Sequence, residues 1–252
     1  MAKLNEIVSF IDEMLDVDKY RDYCPNGLQV EGSLNVQKIV CGVTASQALI
    51  DAAVSKNADM ILVHHGFFWK GESQPIIGLK KKRIASLIQS DISLLAYHLP
   101  LDGHKTIGNN ASLVSLLGLK IDRWFGATQP EICVVASFDA PISSQELIEL
   151  IHEKLERAPL HISKTKDKRI SRVAICSGGA QSYFESAIDQ NIDAFITGEV
   201  SEQSYHLALE SGVDFFSAGH HATERYGIQK LGELVSSKFT VDVEYFELEN
   251  PV

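Results

Sequence analysis

Short runs of buried-type residues recur along this chain with helical patterns between them, and that alternation limits the possible folds more than any other feature. Lys38-Ile39-Val40-Cys41-Gly42-Val43, Met60 to Val63, Ile92 to Tyr97, Arg172 to Cys176, Ala194 to Thr197 and Val213 to Ser217 read as strands covered on both faces. Helical periodicity fills the intervals: residues 48–54, 83–89, 109–117 (stopped by Gly118), 181–190 and 201–211, and a last stretch through Val235. Strands and helices alternating at this spacing predict βαβ units, hence an α/β fold of mostly parallel sheets flanked by helices. An amphipathic helix opens the chain, with Leu4, Ile7, Val8, Ile11, Met14 and Leu15 on one side. The turn Pro25-Asn26-Gly27 then feeds an extended piece, Leu28 to Val30.

The texture changes near Gly126. A strand from Glu131 to Phe138 precedes Ser143-x-x-Glu146, a capping box for a helix running to about Arg157. At 252 residues the chain can hold two modest domains. The expected division is 1–125, carrying His64, His65 and Asp102, and 126–252, carrying His220 and Glu224. The last helix and the alternating tail from Thr240 to Glu247 could pack back on the first half. Ile39 to His65 and Val173 to Glu199 also echo each other without a gap, Asp59 falling on Asp193 and His65 on Glu199. The echo predicts two similar α/β halves with their polar ends facing a shared metal cleft.

Chemistry gathers where the strands end, which is where open α/β sheets collect ligands. His64-His65-Gly66 closes one strand, His98 and Asp102 follow the next, and His220 and Glu224 follow the last. Spacing alone does not say whether His220 or His221 points inward, and His98 could ligate, orient a ligand or cap its strand. Pro100 disfavours helix at Leu99, so His98 to Asp102 is expected to be a looped excursion. Imidazoles with carboxylates suit Zn²⁺, Fe²⁺, Mn²⁺, Co²⁺ or Ni²⁺, and the mixture does not choose between them. Three His, one Asp and one Glu are too rich a set for one catalytic ion. Shared between two divalent ions roughly 3.5–4 Å apart, with one carboxylate bridging, they leave room for a hydroxide.

Other features exclude more than they assign. A net charge of −10 argues against a nucleic-acid binder. The run Lys80-Lys81-Lys82-Arg83 reads as a solvated surface, and Ser177-Gly178-Gly179, which lacks a dinucleotide fingerprint or P-loop lysine, as a tight turn. Cys24, Cys41, Cys133 and Cys176 are scattered without a C-x-x-C pair, so neither a disulfide framework nor a tetrathiolate site is expected. With no signal-peptide pattern and no bilayer-length apolar run, the expected location is the cytoplasm, away from membranes.

The strings Asn26-Gly27-Leu28-Gln29, Val63-His64-His65-Gly66, His98-x-x-x-Asp102 and Gly219-His220-His221-Ala222-Thr223-Glu224 together resemble the Nif-three-like family. Its bacterial members are commonly labelled GTP cyclohydrolase type 2 homologues. The resemblance spans essentially the whole chain, in the short form without an inserted middle domain. It implies a dinuclear metal centre, a ring-shaped homohexamer, and His64, His65, Asp102, His220 and Glu224 as metal ligands, with Glu224 bridging. It also selects His220 over His221.

Two functions follow as expectations. The first is a metal-dependent hydrolase of a nucleotide-like or small polar substrate, with GTP ring opening implied by the resemblance. Glu199 or His98 would then move the proton, and His206 stands in reserve. The second is a non-catalytic metal or nucleotide carrier, or a regulatory scaffold, for which open coordination positions serve equally well.

Overall fold

The computed structural model describes residues 1–126 and 130–252. The chain forms two compact units, Met1–Leu101 with Gly227–Glu249, and Asp102–Tyr226 with Asn250–Val252. The division falls at Leu101, so Asp102 and the helix and strand that follow it belong to the second unit.

The first unit opens with strand β1 (Ala2–Lys3) and helix α1 (Leu4–Met14), which buries Leu4, Ile7 and Ile11 as its periodicity predicts. Next come β2 (Gly27–Val30), β3 (Asn35–Val36), β4 (Lys38–Thr44), α2 (Gln47–Ser55), β5 (Met60–His65), α3 (Gly78–Gln89) and β6 (Ser93–Ala96). Ser46 caps α2 by accepting from the Leu49 N–H. Helix α3 starts five residues before the expected Arg83; Lys81 and Lys82 are exposed on it, while Lys80 is mostly covered and reaches Glu72 at 3.5 Å.

The second unit runs through α4 (Leu99–Gly103), α5 (Asn109–Leu116), β7 (Lys120–Phe125), β8 (Cys133–Ser143), α6 (Ser144–Leu155), β9 (Leu160–Ile162) and β10 (Arg169–Ile175). A 3-10 turn at Gln181–Tyr183 leads into α7 (Phe184–Ile188), then β11 (Ala194–Thr197), α8 (Glu202–Ser211), β12 (Asp214–Ser217) and α9 (His220–Thr223). The expected Ser143–Glu146 capping box is present in full at the start of α6. Helix α10 (Arg225–Phe239) and strand β13 (Asp242–Tyr245) end the chain's regular structure.

Among the described residues the first unit's main sheet has the order β13-β4-β5-β6-β2, parallel except where β2 meets β6. The alternating tail thus becomes the edge strand β13, beside β4. The second unit's sheet has the order β7-β8-β10-β11-β12-β9. Its centre, β10-β11-β12, is parallel, and β7, β8 and β9 add antiparallel pairings at the flanks. Ile39, Val40, Met60, Ile61, Leu62, Leu94 and Leu95 are wholly buried, because the first sheet is covered on both faces. The second unit has its own core around Val134, Ile151, Val173, Ile196 and Phe216.

One local expectation fails. Residues 99–103 are helical, with Pro100 in the first turn of α4. A proline there loses nothing by lacking an N–H, since first-turn amides have no partner within the helix. The turn closes with the Leu101 N–H donating to His98 O at 2.9 Å.

The echo between halves extends to hydrogen bonds. Parallel pairing sets Ile39 opposite Met60 and Val173 opposite Ala194. Asp59 Oδ2 accepts from the Gln37 and Lys38 N–H groups at 2.7 and 3.0 Å. Asp193 Oδ2 accepts from the Ser171 and Arg172 N–H groups at 2.8 and 3.0 Å. Every one of these positions is related by the same offset along the chain.

Candidate metal centre

In the first unit, β5 runs on through both histidines, with His65 paired against Thr44 on β4. His64 is fully buried. Its Nδ1 lies 2.8 Å from Tyr97 O. A carbonyl can only accept, so Nδ1 carries the proton and the lone pair of the neutral ring sits on Nε2. The His64 and His65 ring centroids are 4.5 Å apart, and His98 lies 5.1 and 5.6 Å from them. One ring nitrogen from each of the three lies within 4.8 Å of the others, a group able to hold a metal ion.

The loop after His65 is built to hold this cluster. Gln29 Oε1 accepts from the Phe67 N–H at 2.6 Å, and its Nε2 donates to Pro25 O at 2.8 Å. A Cβ on Gly66 would stand 2.2 Å from Gln29 Oε1 and 2.5 Å from Ala96 Cβ, so only glycine fits there. Trp69 donates from Nε1 to Gly66 O at 3.2 Å and sets its ring edge-on to His98, 5.0 Å between centroids.

His98 is anchored from the opposite side. Asp22 Oδ1 lies 2.7 Å from its Nδ1, and Asn26 Oδ1 accepts its backbone N–H at 2.7 Å. Asp22 is buried, which by itself would raise its pKa. The hydrogen bond and charge of His98, then Asn26 and the Leu99 N–H, outweigh burial and hold the carboxyl below its usual value.

In the second unit, Asp102 on α4 is buried, and its Oδ1 accepts from Asn109 Nδ2 at 2.9 Å and Ser177 Oγ at 3.2 Å. Asn110 Oδ1 accepts from the Ser177 N–H at 2.8 Å, tying α5 to the same turn. Glu224, 2 % exposed, follows α9 and has Oε2 3.2 Å from His220 Nε2. His220 Nδ1 lies 2.7 Å from Glu199 Oε1. Burial disfavours charge on this ring, but Glu224 and then Glu199, by hydrogen bond and charge, push its pKa up to about 9. Glu199 Oε2 in turn accepts from Gln181 Nε2 at 3.2 Å.

Gly178 has a steric reason invisible in the string Ser177-Gly178-Gly179. Its φ is +64°, and a Cβ there would stand 2.0 Å from Glu224 Oε1. Its N–H donates to Thr223 Oγ1 at 2.9 Å and its carbonyl accepts from Thr197 Oγ1 at 3.1 Å. The turn is therefore the wall against which Glu224 is seated.

His64, His65 and His98 thus meet in the first unit, and Asp102 and the His220–Glu224–Glu199 cluster lie in the second. His221 is buried and donates its backbone N–H to Val252 O, while His206 is an exposed side chain on α8 with Glu202 at 3.0 Å. Cys133 and Cys176 are buried opposite each other across β8 and β10, Sγ to Sγ 3.0 Å, so one thiol does stand at a strand end. Sequence reasoning missed Asp22, Gln29 as a loop clamp, Gly178 and Trp69. Of these only Gln29, inside the Asn26-Gly27-Leu28-Gln29 string, carried a signal.

The donor chemistry fits divalent metal. In His64, His98 and His220 the Nδ1 edge meets a carbonyl or carboxylate oxygen, the outer arrangement that orients metal-binding imidazoles. Asp102 and Glu224 supply buried carboxylates, and no helix among the described residues is long and apolar enough to cross a membrane.

Comparison with known proteins agrees with these motifs. A protein named GTP cyclohydrolase 1 type 2 homolog from Haemophilus influenzae is 49% identical over 246 residues, covering 98% of each chain. One of the same name from Vibrio cholerae is 47% identical over 248 residues, again covering 98% of each. A solved structure described as protein ybgI, of unknown function, superposes with a TM-score of 0.96 at 46% identity over all of both chains. The family model described as Duf34/NIF3 (NGG1p interacting factor 3) matches residues 2–251, and the chain belongs to this family.

Proposed function

We propose that this protein is a dinuclear metal-dependent hydrolase of a nucleotide-like or other small polar substrate. His64, His65, Asp102, His220 and Glu224 would hold two divalent ions, with Glu224 bridging. The reading is supported above all by three imidazoles whose Nδ1 edges are turned to fixed oxygens, the orientation in which metal-binding imidazoles are held. The name carried by the relatives, GTP cyclohydrolase 1 type 2 homolog, makes GTP the first substrate to try. A homohexameric ring is proposed on the same family resemblance, and a cytoplasmic location on the scatter of the four cysteines, which suits a reducing compartment.

Two such ions would lower the pKa of a water and polarise the bond under attack. The chain's own residues do the rest. Asp102 is held in place by Asn109 and Ser177, and Glu224 by the wall at Gly178. Glu199 engages His220 and Gln181, which suits it to orienting a ligand. That leaves His98 as the better-placed group to take a proton from the water and return it to the leaving atom.

The test is turnover by metal-reconstituted protein across GTP, other nucleotides and small amides. Activity lost in Glu224→Gln and His65→Ala supports the hydrolase. Tight metal and nucleotide binding without turnover replaces it with a carrier.

A further inference from the structure

Four N–H groups converge on the one buried carboxylate of Asp22. Oδ1 accepts from the Tyr23 N–H at 2.6 Å and faces His98 Nδ1 at 2.7 Å. Oδ2 accepts from Asn26 Nδ2 at 2.9 Å and the Leu99 N–H at 2.9 Å. The orientation of the Asn26 amide is not a free choice, because its Oδ1 is the acceptor for the His98 backbone N–H at 2.7 Å. Every group meeting the carboxylate is therefore a donor, and so must be His98 Nδ1. A proton on Nδ1 places the lone pair of the neutral ring on Nε2, the nitrogen left for the cluster with His64 and His65.

From this network we infer that Asp22 is the positioning residue of a carboxylate–imidazole dyad, locking His98 in the Nδ1–H form so that Nε2 can accept a proton. The inference rests on the hydrolase reading for its chemical purpose, but the tautomer it assigns does not. Asp22 touches no reacting atom in this account. It acts through His98, as buried carboxylates do when they hold an imidazole in one tautomer.

The internal echo adds an independent line. His98 and Asp102 follow β6, and His220 and Glu224 follow β12, with the same spacing and each pair spanning one end of a short helix. In the second unit the imidazole's Nδ1 faces Glu199 at 2.7 Å, as His98 Nδ1 faces Asp22. Asp22 lies 76 positions before His98 in a segment unrelated to Glu199, so the two halves reach one arrangement with carboxylates from different places.

Asp22→Asn sharpens the inference. An asparagine here offers one acceptor oxygen to donors that need two. Leu99 N–H cannot change its role and Asn26 cannot turn over without abandoning the His98 backbone, so the amide oxygen stays with these two donors and the amide nitrogen faces His98, while the N–H of exposed Tyr23 turns to solvent. Only the imidazole can convert its nitrogen from donor to acceptor, by carrying its proton on Nε2. The variant should keep the fold and reverse the tautomer.

The experiment is nitrogen NMR of full-length, metal-free protein labelled at histidine ring nitrogens, at a pH about two units above the ordinary imidazole value. Expected is a protonated Nδ1 on His98 in the wild type and a protonated Nε2 in Asp22→Asn. His64, held by Tyr97 O, stays Nδ1–H in both and serves as the internal reference. A wild-type His98 protonated on Nε2, or a tautomer unmoved by Asp22→Asn, overturns the inference, and the wild-type spectrum alone decides should the variant not fold. With metal restored and GTP as substrate, Asp22→Asn is expected to lower kcat by roughly 10²–10⁴-fold with KM little changed. A reversed tautomer with undiminished kcat overturns the catalytic purpose. Should wild-type protein turn over no substrate at all, the hydrolase reading fails while the spectra still decide the role of Asp22.

Discussion

Gly178 shows how much of the site depends on an absent side chain. Gly178→Ala would force both a positive φ and a Cβ into Glu224 Oε1, and is expected to cost roughly 1–3 kcal/mol. Chemical denaturation checks the stability, and metal titration should show weakened binding because the carboxylate must leave its seat. Asp214 supports a pH prediction away from the metal ligands. Burial raises its pKa, but hydrogen bonds from His161, Ser163 and Ser144 outweigh that and hold the carboxyl below its ordinary value. A depressed native pKa stabilises the fold above the unfolded value and loses that contribution as pH falls through the native one. Asp214→Asn should therefore be less stable than wild type near neutrality, and the gap should close below about pH 4 in urea titrations at stepped pH. Histidines at strand ends were legible because the strands are short, apolar and sharply bounded. Asp22 was not, because its partner is 76 positions away and the residues around it carry no periodicity.

At the scale of elements, βαβ alternation foretold β4, β5, β6, β10, β11 and β12, and the ends of β5, β6 and β12 carry the candidate ligands. Charge-rich β7 and three-residue β9 lack the apolar run that marks a buried strand, and their placement depends on pairing with β8 and β12. Helix α4 was misread because Pro100 looked like a breaker, when in a first turn it is harmless. The echo has an energetic counterpart. Asp59 and Asp193 each close the start of a strand with two backbone N–H bonds, so Asp59→Ala and Asp193→Ala should each cost about 1–3 kcal/mol. Equal losses in denaturant melts would fit a duplicated scaffold, and a loss confined to one of them would not.

On the scale of the whole molecule, each unit has its own sheet and its own core, and each carries acid or imidazole groups beyond the carboxyl ends of its parallel strands. That is the usual location of function in open α/β sheets. Family membership was legible in four short strings, because they carry the donors, the glycine that clears Gln29 and the clamp itself. The central claim is that five of these side chains hold two ions. The most direct test is the metal content of freshly purified full-length protein, by elemental analysis, beside Glu224→Gln and His64→Ala. About two divalent ions per chain are expected in the wild type, with a clear loss in both variants. Wild-type protein that neither retains nor takes up a divalent metal, or variants that bind as much as wild type, would contradict the account.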